Sequence, residues 1–447
     1  MEKLEFDRHI EALEESAMFY MSLGSKELFH TNFLHWLSIV DSKYFIEVLH
    51  GLAGTSKFWW EDCPFEVRRE DKNFDLSIWL LINKKQDKEI WIPVLIIENK
   101  MKSLPYREQL EEYVDKAFDI WWKAKGNAEI KDVINSPSHT PKGFDITLIV
   151  LSLLSPTNLE TNIQKTVSCN KYNLNINYNF SWKCKNYQDL HAELSKKQLS
   201  DSFFQNILND YCKFILNLYQ IAEGDWCINL NNINNKYYID EICPKMSRIQ
   251  DVKDKIEKLE QLRIADIREK ICYDQLLNKL VEKLGGNAQI CQKNQNAAPG
   301  KLAPGKFYCR TGYYHKIGLF EVYFYPKGYN SNFYLSIQVQ GNKYTHAISG
   351  TNIVAKVGKQ NQLTSAWSNN AKWINDIDFF FNFSGSQNNI FPSNITQNTQ
   401  NTIYRYGSTF MYKCADIPQK MSIDDVLNCV VNDVNNIMSQ GKKLGWI

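Results

Sequence analysis

The chain has 447 residues, 44% of them hydrophobic and 23% charged, proportions that exclude a wholly disordered or fibrous protein and call for more than one folded core. Its 52 Lys and Arg against 50 Asp and Glu leave a net charge of +2, so a nucleic-acid partner has to be met by a local basic patch instead of by overall charge. Eleven cysteines, an odd number without a C-x-x-C pair, argue against a disulfide framework or a zinc site. No run reaches the length of a membrane span, and the opening MEKLEFDRHIEALEE lacks a basic segment followed by an apolar one, so a cytoplasmic protein is expected.

Phe6, Ile10, Leu13 and Ala17 recur at helical spacing and predict a helix over 6–23, ended at Gly24. Ser25 is placed to cap a second helix, SKELFHTNFLHWLSIV, whose Phe29, Phe33, Trp36, Leu37 and Val40 form an apolar face. Glu27, His30 and Thr31 lie three or four residues apart on it. After a strand over 65–72, the stretch FDLSIWLLINKKQDKEIWIPVLIIENK, 74–100, reads as two apolar strands joined by a charged turn. Three consecutive strands are therefore expected, the central ones apolar enough to be covered on both faces. A helix follows over 104–123, then a strand over 146–153 and helices over 187–194 and 203–222. That order describes a mixed α/β core flanked by helices.

From about Gly224 the composition turns toward Asn, Tyr and Lys, which divides the chain into a first domain over 1–223, a linker over 224–250 and an α+β domain over 251–447. There a charged helix is expected over 252–284, stopped by Gly285 and Gly286. Aromatic strands are predicted over 317–326, 332–340, 376–383 and 402–413, with a Ser/Gln/Asn-rich loop over 384–401. A last helix begins after Ser422, where Ser422 and Asp425 have the spacing of a capping box.

The chemistry concentrates in the 74–100 stretch. In an antiparallel hairpin the start of one strand lies beside the end of the next, so Asp75 meets Glu98, Asn99 and Lys100. Hydrolysis of a phosphodiester needs charge stabilisation, an activated water and a hold on the phosphate. Magnesium favours carboxylates with carbonyl and water oxygens, which Asp75, Glu98 and the Asn99 peptide carbonyl supply. Lys100 shares a strand face with Glu98 and is placed to orient the water. Gln109 and Tyr113, one helical turn apart, are candidates to bond the phosphate or brace Lys100, and Lys102 and Arg107 to contact the nucleic-acid backbone. In the second half Lys301, Lys306, Arg310, His315 and Lys316 interleave with Tyr308, Tyr313 and Tyr314, either as a nucleic-acid surface or as sheet packing.

Asp75, then Glu98-Asn99-Lys100 at the end of the next strand, then Gln109 and Tyr113, resemble the D…E-x-K…Q-x-x-x-Y signature of the PD-(D/E)xK nuclease superfamily. The helix ELFHTNFLHWL, 27–37, is similar to the opening helix of bacterial families in that group, with the pattern H-x-x-F-L-x-W-L. The resemblance covers roughly residues 1–220. It implies a restriction-endonuclease-like mixed sheet flanked by helices, Asp75 and Glu98 as ligands of Mg2+ or Mn2+, Lys100 as a catalytic residue and Glu27 as a further acidic ligand. Phe74 departs from it, since the superfamily name has proline there. The function expected is a metal-dependent deoxyribonuclease attacking DNA in line with an activated water, with RNA and a homodimer left open and no membrane partner. The alternative is a catalytically silent protein of the same fold that binds nucleic acid or a partner protein.

Overall fold

The structure, a computed structural model, describes residues 3–24, 26–85, 88–101, 103, 107–125, 146–155, 162–169, 174–223, 236–242, 263–290, 304–314, 317–327, 333–350, 380–381, 404–406 and 410–447. Within these the protein is a mixed α/β chain with two sheets. It divides into two compact units, residues 1–226 with 254–268, and residues 227–253 with 269–447.

The first unit opens with α1 (Lys3–Glu14) and α2 (Ala17–Leu23), where a single helix is predicted. The break falls at Ser16, whose backbone turns extended and whose hydroxyl donates to Asp210 Oδ1 at 2.9 Å. Next come α3 (Lys26–Val40) and α4 (Ser42–Ala53); Ser25, the predicted cap of α3, lies outside the described residues. Helix α4 was not anticipated, yet its ends are chemically marked. Asp41 accepts from the Tyr44 N–H at 2.9 Å at one end, and Gly54 takes the left-handed conformation at the other.

The sheet is built from β1 (Phe65–Arg69), β2 (Leu76–Lys85), β3 (Lys88–Lys100), β4 (Thr147–Ser152), β5 (Asn162–Cys169) and β6 (Leu174–Asn186), in the order β1-β2-β3-β4-β6-β5. Strands β1, β2 and β3 form an antiparallel meander, whereas β3–β4 and β4–β6 are parallel. The parallel step from β3 to β4 requires a crossover, and it contains α5 (Arg107–Lys125). Leu110, Tyr113, Val114 and Ala117 of α5 pack on Trp79, Ile96, Leu148, Val150 and Trp182 of the sheet. Fully burying each large apolar side chain is worth roughly 1.5–3 kcal/mol, so this one face goes far to hold α5 in place. The opposite face meets α3, α4 and α6 (Tyr187–Leu194), and α7 (Ser202–Glu223) packs on α1 and α6. Pro93 interrupts the ladder in β3, and a register irregularity between Ile78 and Trp79 accommodates it. Its carbonyl accepts from the Trp121 indole of α5 at 2.6 Å.

The second unit has α8 (Tyr238–Ile242), α9 (Ile264–Leu284, divided between the units), β7 (Ala288–Ile290), β8 (Phe307–Tyr314), β9 (Ile317–Phe324), β10 (Tyr334–Gln340), β11 (Lys343–Ser349), β12 (Tyr404–Tyr406), β13 (Phe410–Asp416) and α10 (Ile423–Leu444). Its sheet runs β12-β13-β11-β10-β9-β8-β7, and α9 and α10 bury one face through Leu276, Leu280, Leu427 and Val430. Helix α8, inside the stretch expected as a linker, is buried in this core through Tyr238 and Ile242. The capping box at Ser422 and Asp425 is formed in both directions. The 252–262 part of the predicted 252–284 helix, the 384–401 loop and all of the 376–383 strand except Phe380 and Phe381 lie outside the described residues. Tyr308 packs with Tyr323 and Tyr325, and Arg310 pairs with Glu321, so both are engaged in the fold of the sheet.

Candidate active site

Asp75 immediately precedes β2, and β3 ends on Lys100. With Leu76 paired to Ile97, Asp75 falls beside the last residues of β3, and its Oδ2 accepts from the Asn99 N–H at 2.8 Å. Strand alternation then sorts the end of β3. Glu98 and Lys100 face α5 together with Ile96, while the Asn99 side chain faces α3 and α6.

Glu98 is 0% exposed. Its Oε1 receives Lys100 Nζ at 2.5 Å and Gln109 Nε2 at 2.6 Å. Gln109 Nε2 also reaches the Tyr113 hydroxyl at 2.9 Å, so the two residues predicted from their one-turn spacing do converge on this carboxyl group. Glu98 Oε2 has no hydrogen-bond partner among the described residues. Phe74 is fully buried and meets the Tyr113 ring edge-on, with centroids 5.6 Å apart. The residue at the proline position of the resemblance is thus a support beneath the site.

Burial pushes the Glu98 carboxyl up to about 7, Asp75 pushes it the same way, and Lys100 opposes both. Burial also raises Asp75, against the pull of Lys100 and the Asn99 N–H. For Lys100, burial acts downward, but Glu98, Asp75 and Glu27 carry the ammonium above the ordinary lysine value. Lys100 is therefore a cation at neutral pH. Tyr113 is raised by burial and by Glu98, which keeps its phenol neutral and able to donate. Two carboxyl groups this closely coupled titrate as a pair.

A buried acceptor without a donor costs about 1–3 kcal/mol, and more when it is charged. A hard cation removes that cost. Magnesium binds through one or two carboxylates and retains several waters, and the Asp75–Glu98 pair fits that habit. No three acidic, histidine or cysteine side chains among the described residues form a ready-made metal cage, so any ion held here would rely on water for most of its coordination.

Glu27, in the first turn of α3, stands at the rim. Its Oε1 accepts from Ser103 Oγ at 3.2 Å, and its backbone carbonyl accepts from Asn99 Nδ2 at 2.9 Å. The Tyr187 hydroxyl donates to Asn99 Oδ1 at 3.2 Å. His30 lies deeper, its Nδ1 paired with the Tyr211 hydroxyl at 2.9 Å, and burial drives its pKa down to about 3; it is a neutral core residue. Lys102 and the Arg107 side chain lie outside the described residues.

The turn leading into Asp75 is unusual. Glu70, Lys72 and Asn73 have φ of 51°, 56° and 65°, the left-handed region that costs a non-glycine residue about 1–2 kcal/mol. The turn is closed by Phe74 N–H to Asp71 O at 3.0 Å and by Glu70 N–H to Asp75 O at 3.3 Å. The Asn99 side chain, Ser103 and Tyr187 were not anticipated as parts of the site. Tyr187 is 88 residues away along the chain, and no local spacing could have announced it. No protein-family model matches the chain, and no match is found among curated proteins or solved structures.

Proposed function

We propose that the first unit is a metal-dependent nuclease of the PD-(D/E)xK type with a restriction-endonuclease-like core, hydrolysing phosphodiester bonds of DNA. The observation that carries the reading is the Glu98 carboxyl group. It is buried at the end of a central strand beside Asp75, with a lysine on one oxygen and, among the described residues, no donor on the other. The order of helix, three-strand meander, helix and parallel strand supports the fold assignment.

Asp75 and Glu98 would hold Mg2+ or Mn2+, with the Asn99 peptide carbonyl as a further oxygen donor, water in the remaining positions and Glu27 adding negative charge from the rim. Such an ion supplies charge neutralisation at the scissile phosphate and a more acidic water. Lys100, charged and anchored on Glu98, is held where its ammonium can orient the attacking water and offset developing negative charge. Gln109 and Tyr113 fix the Glu98 carboxyl from the α5 side, and Tyr113 keeps its proton to donate. Direct in-line attack by water completes the reaction without a covalent intermediate.

The test is incubation of the full chain with duplex and single-stranded DNA and with RNA, with Mg2+, with Mn2+ and with chelator, alongside Asp75→Asn. Cleavage that needs the metal and falls at least about 100-fold in the variant agrees with the proposal. Cleavage that survives both chelation and Asp75→Asn removes this site from the reaction.

A further inference from the structure

Between the two acidic and basic residues of β3 sits Asn99, fully buried and turned to the opposite face of the sheet. Its amide is used at both ends. Nδ2 donates to the carbonyl of Glu27 at 2.9 Å, and Oδ1 accepts from the Tyr187 hydroxyl at 3.2 Å. Glu27 belongs to the first turn of α3, and Tyr187 is the first residue of α6. One side chain therefore ties two helices to the end of the central strand.

The tie is itself braced. The Tyr187 ring packs on His30, one turn along α3 from Glu27, with centroids 4.7 Å apart. His30 in turn stacks on Phe214 at 5.9 Å and bonds the Tyr211 hydroxyl, both residues of α7. Tyr187, Tyr211 and Phe214 are all fully buried, so the start of α3 has little freedom to slide. Ser103, just beyond the end of β3, then meets the Glu27 carboxylate at 3.2 Å. Backbone and side chain of Glu27 are thus both referred to the strand end that carries Glu98 and Lys100.

We propose that Asn99 and Tyr187 are positioning residues that clamp the first turn of α3 to the end of β3 and so hold the Glu27 carboxylate at the rim of the Asp75–Glu98 pair, where its charge adds to the affinity for a divalent cation. The inference rests on the metal-site reading above. Glu27 already acts electrostatically on Asp75 and on Lys100, so a carboxylate held in this place is felt at the site without being a direct ligand. Residues that orient metal-binding groups typically change metal affinity or activity 10–100-fold when replaced. The clamp assigns a task to the middle residue of Glu98-Asn99-Lys100 that is separate from its peptide carbonyl.

The experiment is calorimetric titration of the full chain with Mn2+ alone, across a mutant cycle. Asn99→Ala and Glu27→Gln should each weaken binding by roughly 10-fold or more, and the double variant should bind no more weakly than Glu27→Gln. Tyr187→Phe removes one hydroxyl and keeps the ring. It should show a smaller loss that also vanishes in the Glu27→Gln background, and it stands in if Asn99→Ala does not fold. Additive losses, or unchanged Mn2+ affinity in folded Asn99→Ala or Tyr187→Phe, would overturn the clamp. Asp75→Asn separates the two claims. If it abolishes binding while the cycle is additive, only the clamp fails; if Asp75→Asn binds Mn2+ as the wild type does, or the wild type binds none, the metal site and the clamp fail together.

Discussion

Among the described residues each unit buries one glutamate on a sheet strand, and the two are treated in opposite ways. Glu321 on β9 is 1% exposed, with Arg310 Nε and a terminal guanidinium nitrogen each 2.7 Å from Oε2 and Gln338 Nε2 2.7 Å from Oε1. The Arg310 guanidinium also lies over the Tyr323 ring at 5.3 Å. Every acceptor is matched, and the network joins β8, β9 and β10. Glu98 takes Lys100 and Gln109 on one oxygen, leaves the other without a donor among the described residues, and has a second carboxyl group for a neighbour. A satisfied buried charge fixes a fold. An unsatisfied one at a strand end is a cost that a ligand can remove, and that difference is what makes the end of β3 the candidate site.

Four measurements break or sharpen this contrast. The largest effect is expected at Arg310→Ala, which strands Glu321 in the core and should cost about 3 kcal/mol in denaturant unfolding. Little change would mean that the second unit's carboxylate is no better tied than the first's. Glu98→Gln should do the reverse. The folded-state pKa of Glu98 is raised to about 7 from an ordinary 4.5, so its ionised form is disfavoured by folding. The penalty is absent below pH 4.5, grows as pH rises, and is complete above about 7. With divalent metal chelated, Glu98→Gln should therefore gain up to about 3 kcal/mol of stability at pH 8, at about 1.4 kcal/mol per pKa unit, and nothing at pH 4. Equal stability at pH 8 would contradict the strained carboxyl.

His30 gives the opposite sign. Its folded pKa of about 3 lies below the ordinary 6.5, so the unfolded chain takes up the proton first. Stability is intact above pH 6.5 and falls as the pH drops, by about 2 kcal/mol at pH 5. Urea unfolding of wild type and His30→Phe between pH 7 and 5 reads this directly, and an acid slope that persists in the variant assigns it to other groups. The smallest effect belongs to the turn before Asp75. Lys72→Gly, at φ 56°, should raise stability by about 1 kcal/mol, and a loss would show that the left-handed turn is not strained at that residue.

The hairpin was legible because its signal is local. Two strands with apolar centres, IWLLI and IWIPVLII, around a charged turn leave few alternatives to pairing, and pairing brings Asp75 to Glu98 by geometry alone. Gln109 and Tyr113 were legible for the same reason, since one helical turn sets their common direction. Helix α4 could have been read from Asp41 and Gly54, which mark its two ends. Strand β6 was legible but missed, since Leu174, Ile176, Tyr178, Phe180 and Trp182 alternate with Asn and Ser at the period of a strand; in β5 only Ile163 and Val167 are aliphatic, and the pattern is weaker. The Asn99–Tyr187 contact had no sequence signature at all, because it depends on α6 returning to the end of β3 after three further strands of sheet. The meaning of Phe74 was hidden likewise: as a sequence feature it is a departure, and as a packed ring under Tyr113 it is a support.

The central claim is that Asp75, Glu98 and Lys100 form one hydrolytic site. Single-turnover cleavage by wild type and Lys100→Ala, each saturated with a labelled DNA fragment in Mg2+ or Mn2+, tests it most directly. The account predicts metal-dependent cleavage by the wild type and a rate at least about 100-fold lower in the variant, with DNA still bound. Undiminished cleavage by Lys100→Ala, or no cleavage of any DNA or RNA form by the wild type, would contradict it.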